Sequence, residues 1–229
     1  MELYIRSERD QMKKIISKIL IVILLISSCI GTINVAPVTV NAATKTNWPK
    51  GPSIYGQTGV LIEASTGTVL YDKKCNKKMY PASITKIMTA LLTIENCKMD
   101  EMVTFSDATI HSIQYGDANM GCSVGEKMTV KDCLYALMLQ SANEVATALG
   151  EHIAGSTKNF AEMMNKRAKE AGALNTHFAN ANGLHDPNHY VTAYDMAMIT
   201  RAASKYSVFN DIVNTTTYTI KHNKKRKTD

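Results

Sequence analysis

A change of hydrophobic period at residue 83 constrains this chain more than any other feature of it. Before that point, residues 59–64 and 68–72 are short apolar runs joined by Ser65, Thr66 and Gly67, which predicts a β-hairpin with glycine at its turn. After it, Ile84, Ile87, Met88, Leu91, Leu92 and Ile94 recur at helical spacing with no further Gly or Pro, which predicts a helix from Ser83 to about Asn96. Strands come first, and a helix opens at Ser83.

Downstream, helices dominate. Residues 98–128 are polar, with scattered Gly and short β-like pieces at 102–105 and 127–130, as in a loop-rich segment walling a cleft. Thr129 and Asp132 frame the start of a helix through Leu134, Leu137, Met138 and Leu139, and a second helical stretch runs from Glu144 to about Gly155. A third opens at Ser156 with Phe160, Met163, Met164 and Ala168 on one face and stops near Gly172. A fourth opens between Thr192 and Asp195 and runs to about Ser204. Residues 175–188 form a turn-rich connection, and the β-branched residues 215–220 are expected to be a strand. No internal repeat is visible.

The first 42 residues read as an export signal: Lys13, Lys14 and Lys18 precede an uncharged apolar run from Ile19 to Ile26, and Val40, Asn41 and Ala42 offer small residues for cleavage. Met12 looks like the natural start of such a signal. A retained anchor is disfavoured because the apolar core is shorter than the roughly 20 residues that span a bilayer. Lipidation at Cys29 is a minority option. The mature chain, residues 43–229, is long enough for one domain with a real core. The protein is thus expected outside the cytoplasmic membrane, on the cell-wall side.

The formal charge of +6 resides at the ends, because residues 1–42 hold five basic and three acidic groups and residues 221–229 hold five basic and one acidic. The remainder is neutral, and nothing argues for nucleic acid. Cys75, Cys97, Cys122 and Cys133 show no C-x-x-C pair and read as free thiols, with Cys97 and Cys133 as small buried hydrophobes. The six histidines form no short ligand cluster, which disfavours a zinc peptidase.

Ser83 and Lys86 spell S-x-x-K, which occurs once in the chain. A serine hydroxyl is a poor nucleophile until a base removes its proton, and a lysine one helical turn later lies on the same face. Ser141 and Asn143 spell S-x-N, also once, in a short break between two helices. Each word alone is weak, and Ser83 or Ser141 as a cap, Asn143 as a turn residue and Lys86 as a surface cation are the bland readings.

Their order carries more. S-x-x-K at a helix start followed by S-x-N is the signature order of penicillin-binding proteins and serine β-lactamases, completed there by K-T-G on a later strand. Residues 80–89 (YPASITKIMT), 137–144 (LMLQSANE) and 182–196 (NGLHDPNHYVTAYDM) strongly resemble the D-alanyl-D-alanine carboxypeptidases, the low-molecular-weight penicillin-binding proteins of serine peptidase family S11. The likeness spans about residues 52–220.

The resemblance implies an α+β fold of the serine β-lactamase/transpeptidase type. In that fold an antiparallel sheet packs against helices, with a helical subdomain over roughly residues 84–205 and the active site at their junction. It implies Ser83 as acylated nucleophile, Lys86 as its base, Ser141 as proton relay to the leaving D-alanine, and Asn143 as a hydrogen-bond partner of the substrate backbone. The Ser83 N–H would be half of an oxyanion hole. The implied substrate is a peptidoglycan stem peptide ending in D-Ala-D-Ala, with β-lactams as covalent inhibitors and no metal or organic cofactor. His189 and Asp195, though inside a family-like word, are expected to be structural.

No K-T-G occurs, and Lys227, Thr228 and Asp229 are a poor substitute in a basic context. The expectation is therefore a C-terminally truncated catalytic domain, its final strands missing and inactive alone. Two rivals remain. A class A β-lactamase would need an E-x-x-L-N word, and Glu170 to Asn175 is one residue too long. A non-catalytic wall-binding or β-lactam-sensing module would be acylated once at Ser83 and never turn over.

Overall fold

The computed structural model describes residues 51–220. The expected export signal, Cys29 and the basic segment 221–229 lie outside the described residues.

Strands β1 (Gly59–Ile62) and β2 (Val69–Lys73) pair antiparallel, from Gly59 opposite Lys73 to Ile62 opposite Val69. The turn is organised by Glu63, whose carboxylate accepts from the backbone and side chains of both Ser65 and Thr66. These bonds pull its acid down to about 2. Gly67 takes φ +80°, a left-handed conformation that favours glycine, directly over the Arg201 guanidinium. Arg201 in turn donates to the Ala64 and Ser65 carbonyls and latches the hairpin to the helix that carries it.

The helices follow: α1 (Lys86–Asn96), α2 (Asp107–His111), α3 (Val130–Leu139), α4 (Asn143–Ala154), α5 (Thr157–Glu170), α6 (Ala193–Ala203) and α7 (Ser207–Val213). Strands β3 (Met102–Thr104) and β4 (Lys127–Thr129) pair antiparallel on either side of α2 in sequence. The capping residues work as the sequence implies. Thr129, Ser156 and Thr192 each accept a backbone N–H three residues on, at 3.0, 3.1 and 3.0 Å.

Helix α1 is the hub. It packs against α3, α4, α5, α6 and α7, and Met88 through Thr93 are buried all round, as expected of a helix enclosed by others. Leu91, Leu134, Leu137, Leu149, Phe160, Phe178 and Ile199 complete the core, each worth about 1.5–3 kcal/mol by burial. At Gly150 a Cβ would sit 2.9 Å from the Phe160 ring, so α4 and α5 meet where a side chain is missing. At the far end of α1, Glu95 takes a two-pronged ion pair from Arg167 of α5 and a hydrogen bond from Tyr206.

Several expectations need correction. The residues 215–220 form no strand: Tyr218 instead stacks on Tyr135, centroids 3.7 Å apart, and donates to Asp132. β-branched residues favour a strand only where a sheet edge pairs with them, and here an aromatic partner on α3 decides. The α+β class holds, with the antiparallel pairing divided, among the described residues, between two separate strand pairs, the second built from the β-like pieces near 102–105 and 127–130. Ser83 does not begin the α-helix but lies in a 3-10 turn, Ala82–Thr85, that precedes Lys86. Helices α2 and α7 are short and were not legible in the pattern. All four described cysteines are free thiols, but Cys97 sits beyond the end of α1 and is only half-buried.

Candidate active site

The site forms where α1 and α4 begin. Ser83 is exposed in the 3-10 turn, and its hydroxyl lies 3.3 Å from the Lys86 Nζ. Ser83 is among the first N–H groups of that turn, which have no carbonyl partner within it. The residue before it, Ala82, is held at φ +49°, in the left-handed region that costs a non-glycine residue about 1–3 kcal/mol.

That strain is maintained from the connection between α5 and α6. Gly183, at φ +91°, lies so close that a Cβ would stand 2.0 Å from the Ala82 carbonyl oxygen, so only glycine fits. The turn carrying it is knitted by Asn180 and Asn182, whose side chains bond to Gly183 and Leu184. It docks on α1 through Thr89, which donates to the Ala181 carbonyl at 2.6 Å.

Lys86 is 2 % exposed. Its Nζ donates to Asn143 Oδ1 at 2.6 Å and to the Asn182 carbonyl at 2.7 Å. Burial lowers its pKa to about 8, against the opposing pull of the Glu144 and Asp117 carboxylates. A neutral amine has two N–H donors and one lone pair. With two acceptors occupying the donors, the lone pair is left for the third neighbour, the Ser83 hydroxyl.

Asn143 is the first residue of α4 and is buried, and the contact it makes here is to Lys86. Ser141 lies two residues earlier at φ +58°, with its Oγ buried and without a hydrogen-bond partner. An unpaired buried hydroxyl costs about 1–3 kcal/mol, and it coincides here with a strained backbone. Ser141 makes no hydrogen bond to Ser83 or Lys86. All four anticipated residues thus fall at two adjoining helix starts, three of them linked by hydrogen bonds through Lys86.

Glu144 was not anticipated. It is 1 % exposed, and its Oε1 accepts the Met120 N–H at 2.8 Å, tying the long loop between α2 and β4 to the start of α4. A second tie runs from the Asn143 N–H to the Ala118 carbonyl at 2.9 Å. The available signal was an acidic residue directly after S-x-N in a first helical turn, which helix-dipole preference alone explains. A cavity of about 720 Å³ opens between this loop, Tyr135, Gln140 and Tyr218. Ser83 and Lys86 do not line it, and Ser83 faces solvent.

His189 is buried, 3.0 Å from Thr85 Oγ1, with the Ala179 N–H approaching its Nδ1. Burial lowers its pKa to about 4. It is a neutral ring bracing the 3-10 turn. Asp195 accepts from the Asn175 N–H and the Thr176 hydroxyl, and holds the connection after α5 to the start of α6. Glu170, the rival catalytic carboxylate, is exposed at the end of α5.

Comparison with known proteins gives a consistent answer. The family described as Peptidase S11, D-alanyl-D-alanine carboxypeptidase, matches residues 43–229. D-alanyl-D-alanine carboxypeptidase DacF of Bacillus subtilis is 40% identical over 164 residues, covering 69% of this chain and 41% of that protein. A D-alanyl-D-alanine carboxypeptidase of Streptomyces sp. strain K15 is 34% identical over 200 residues, covering 83% of this chain and 66% of its own length. Among solved structures, penicillin binding protein 5 of Haemophilus influenzae superposes with TM-score 0.64 at 31% identity, covering 69% of this chain and 47% of that one. A mutant of the Streptomyces K15 DD-transpeptidase gives TM-score 0.71 at 33% identity, covering 75% and 69%. The chain therefore spans less than half the length of the Bacillus relative.

Proposed function

The chain belongs to the D-alanyl-D-alanine carboxypeptidase family, peptidase S11, and from that premise we propose that the catalytic domain to which it contributes performs serine-type acyl transfer on peptidoglycan stem peptides ending in D-Ala-D-Ala. The observation that carries this reading is the buried Lys86 amine, 3.3 Å from the Ser83 hydroxyl and lowered to about 8. At neutral pH about a tenth of it is unprotonated, enough to act as a base.

In this mechanism the Lys86 lone pair takes the Ser83 proton as Oγ attacks the carbonyl carbon of the penultimate D-alanine. The Ser83 N–H stabilises the oxyanion that forms. Collapse breaks the amide bond and leaves an ester on Ser83. The departing D-alanine amine receives a proton through Ser141, whose unpartnered Oγ is free to relay it. Water then cleaves the ester, releasing the shortened peptide and restoring Ser83. Asn143 positions Lys86 through Oδ1, which leaves its amide NH₂ as the donor toward the substrate backbone.

A β-lactam presents a strained carbonyl where the scissile amide would sit, so penicillins acylate the same hydroxyl. The substrate places the working protein outside the cytoplasmic membrane, with residues 1–42 as its export signal and residues 43–229 as catalytic domain. Lys13, Lys14 and Lys18 ahead of the apolar run 19–26 support that placement.

The test is covalent labelling by a fluorescent penicillin with peptide mapping, beside release of D-alanine from a D-Ala-D-Ala peptide. An adduct on Ser83 that is lost in Ser83→Ala is expected. An adduct elsewhere, or label persisting in that variant, refutes the nucleophile, and nitrocefin turnover without D-alanine release would make the protein a β-lactamase.

A further inference from the structure

We propose that Cys97, Glu101 and His152 form a zinc-type divalent-cation site, remote from Ser83, with thiolate, carboxylate and imidazole as its three protein ligands. One donor atom from each side chain lies within 4.8 Å of the other two. A tetrahedral zinc with bonds of about 2.0–2.3 Å holds its ligand atoms roughly 3.3–3.8 Å apart, so closing the site takes about an ångström of side-chain rotation. His152 Nε2 and Glu101 Oε2 are already 3.3 Å apart.

The ligands are held by the fold rather than by one segment. Cys97 follows the end of α1, Glu101 immediately precedes β3, and His152 lies in the last turn of α4. Glu101 is oriented from its other oxygen, because Oε1 accepts the Lys98 N–H at 2.9 Å and leaves Oε2 toward the histidine. The intervening loop is pinned to the start of α3 by Val130 N–H to the Glu101 carbonyl at 2.9 Å and Lys131 N–H to the Met99 carbonyl at 3.0 Å. Cys97 is half-buried, while the Glu101 and His152 side chains are both partly exposed, at 39% and 27%, which supplies the entry path and leaves the fourth position for a solvent molecule.

The donor set discriminates among ions. A thiolate with an imidazole suits zinc and its softer neighbours, whereas calcium and magnesium want oxygen. On binding, the S–H bond breaks, the sulfur–metal bond forms and the proton leaves to water.

The location gives the site a purpose. Helices α1 and α4 meet at their starts through the Lys86–Asn143 hydrogen bond, and Cys97 and His152 bring their other ends together. About 16 Å of helix separates Lys86 from Cys97 and about 14 Å separates Asn143 from His152, so the two run side by side in the same direction. A cation at the far end clamps the pair whose near end positions the lysine. Ligands at positions 97, 101 and 152 form no short sequence word.

The experiment titrates the tag-free chain with Co²⁺ as spectroscopic probe, then displaces it with Zn²⁺, and follows thermal unfolding with and without zinc. One ion per chain, a thiolate-to-cobalt charge-transfer band, a Kd near or below about 1 μM and a raised Tm are expected. Cys97→Ser should abolish the band. His152→Ala and Glu101→Gln, both reaching solvent, should weaken binding at least about tenfold, while His111→Ala should leave it unchanged. A band that survives Cys97→Ser, binding unaffected by His152→Ala, or a wild-type Kd weaker than about 100 μM overturns the proposal. None of these readouts depends on peptidase activity.

Discussion

Lys86 Nζ donates to Asn143 Oδ1 across 2.6 Å, which ties the first residue of α1 to the first residue of α4, 57 positions later in the chain. That bond makes one site of two helix starts. It also sets the direction of the lysine, whose remaining neighbours are the Asn182 carbonyl and the Ser83 hydroxyl.

Replacing Lys86 by arginine should abolish acylation while keeping the charge. A guanidinium does not deprotonate in proteins, so it cannot take the serine proton. The penicillin-labelling rate of Lys86→Arg should fall at least about 10²-fold, in the range that general-base removal gives. A rate within about tenfold of wild type would make Lys86 an electrostatic rather than a proton-accepting residue.

Acylation should rise with pH. Because burial holds Lys86 down to about 8, the unprotonated form is scarce below that pH and predominant above it. The labelling rate should increase about tenfold per pH unit on the acid side and level off above about pH 8. The unfolded chain binds the extra proton between about 8 and the ordinary lysine value, so fold stability should also rise across that interval. A rate constant flat from about pH 6 to 9 would contradict the assignment.

Glu144→Gln should move that pH profile toward acid. The carboxylate raises the lysine's pKa, so neutralising it favours the free amine, while the amide oxygen can still accept the Met120 N–H. An unchanged midpoint with lowered Tm would reduce Glu144 to a structural tie for the loop.

Gly183→Ala should damage both stability and acylation. The added methyl meets the Ala82 carbonyl at 2.0 Å on a backbone already at φ +91°. Strain of about 1–3 kcal/mol from the backbone alone, plus displacement of the segment bearing Ser83, should lower Tm and slow labelling together. A variant with wild-type Tm and labelling rate would show that the 3-10 turn does not need this support.

The elements that were legible in the sequence are those whose cause is local. The hairpin around Gly67, the caps at Thr129, Ser156 and Thr192, and the apolar face of α1 each follow from residues a few positions apart. Helices α2 and α7, of five and seven residues, are too short to show a period, and their existence depends on what they pack against. The segment at 215–220 had strand composition but took its place from Tyr135.

For the candidate site, the sequence by itself supplied the four residues to look at: Ser83, Lys86, Ser141 and Asn143 stood out by the order of two short words and by their resemblance to the carboxypeptidase family, not by spacing alone. Only the tertiary structure decided what those residues are chemically. The lysine is suited to the proposed role of base because burial among the helices removes water from Nζ, and because Asn143 Oδ1 and the Asn182 carbonyl, 57 and 96 residues away, accept hydrogen bonds from it. The same holds for Gly183 beneath Ala82, Glu144 beneath the loop, and the cluster of Cys97, Glu101 and His152. Desolvation and side-chain convergence are properties of the packed chain, and no local pattern of residues encodes them.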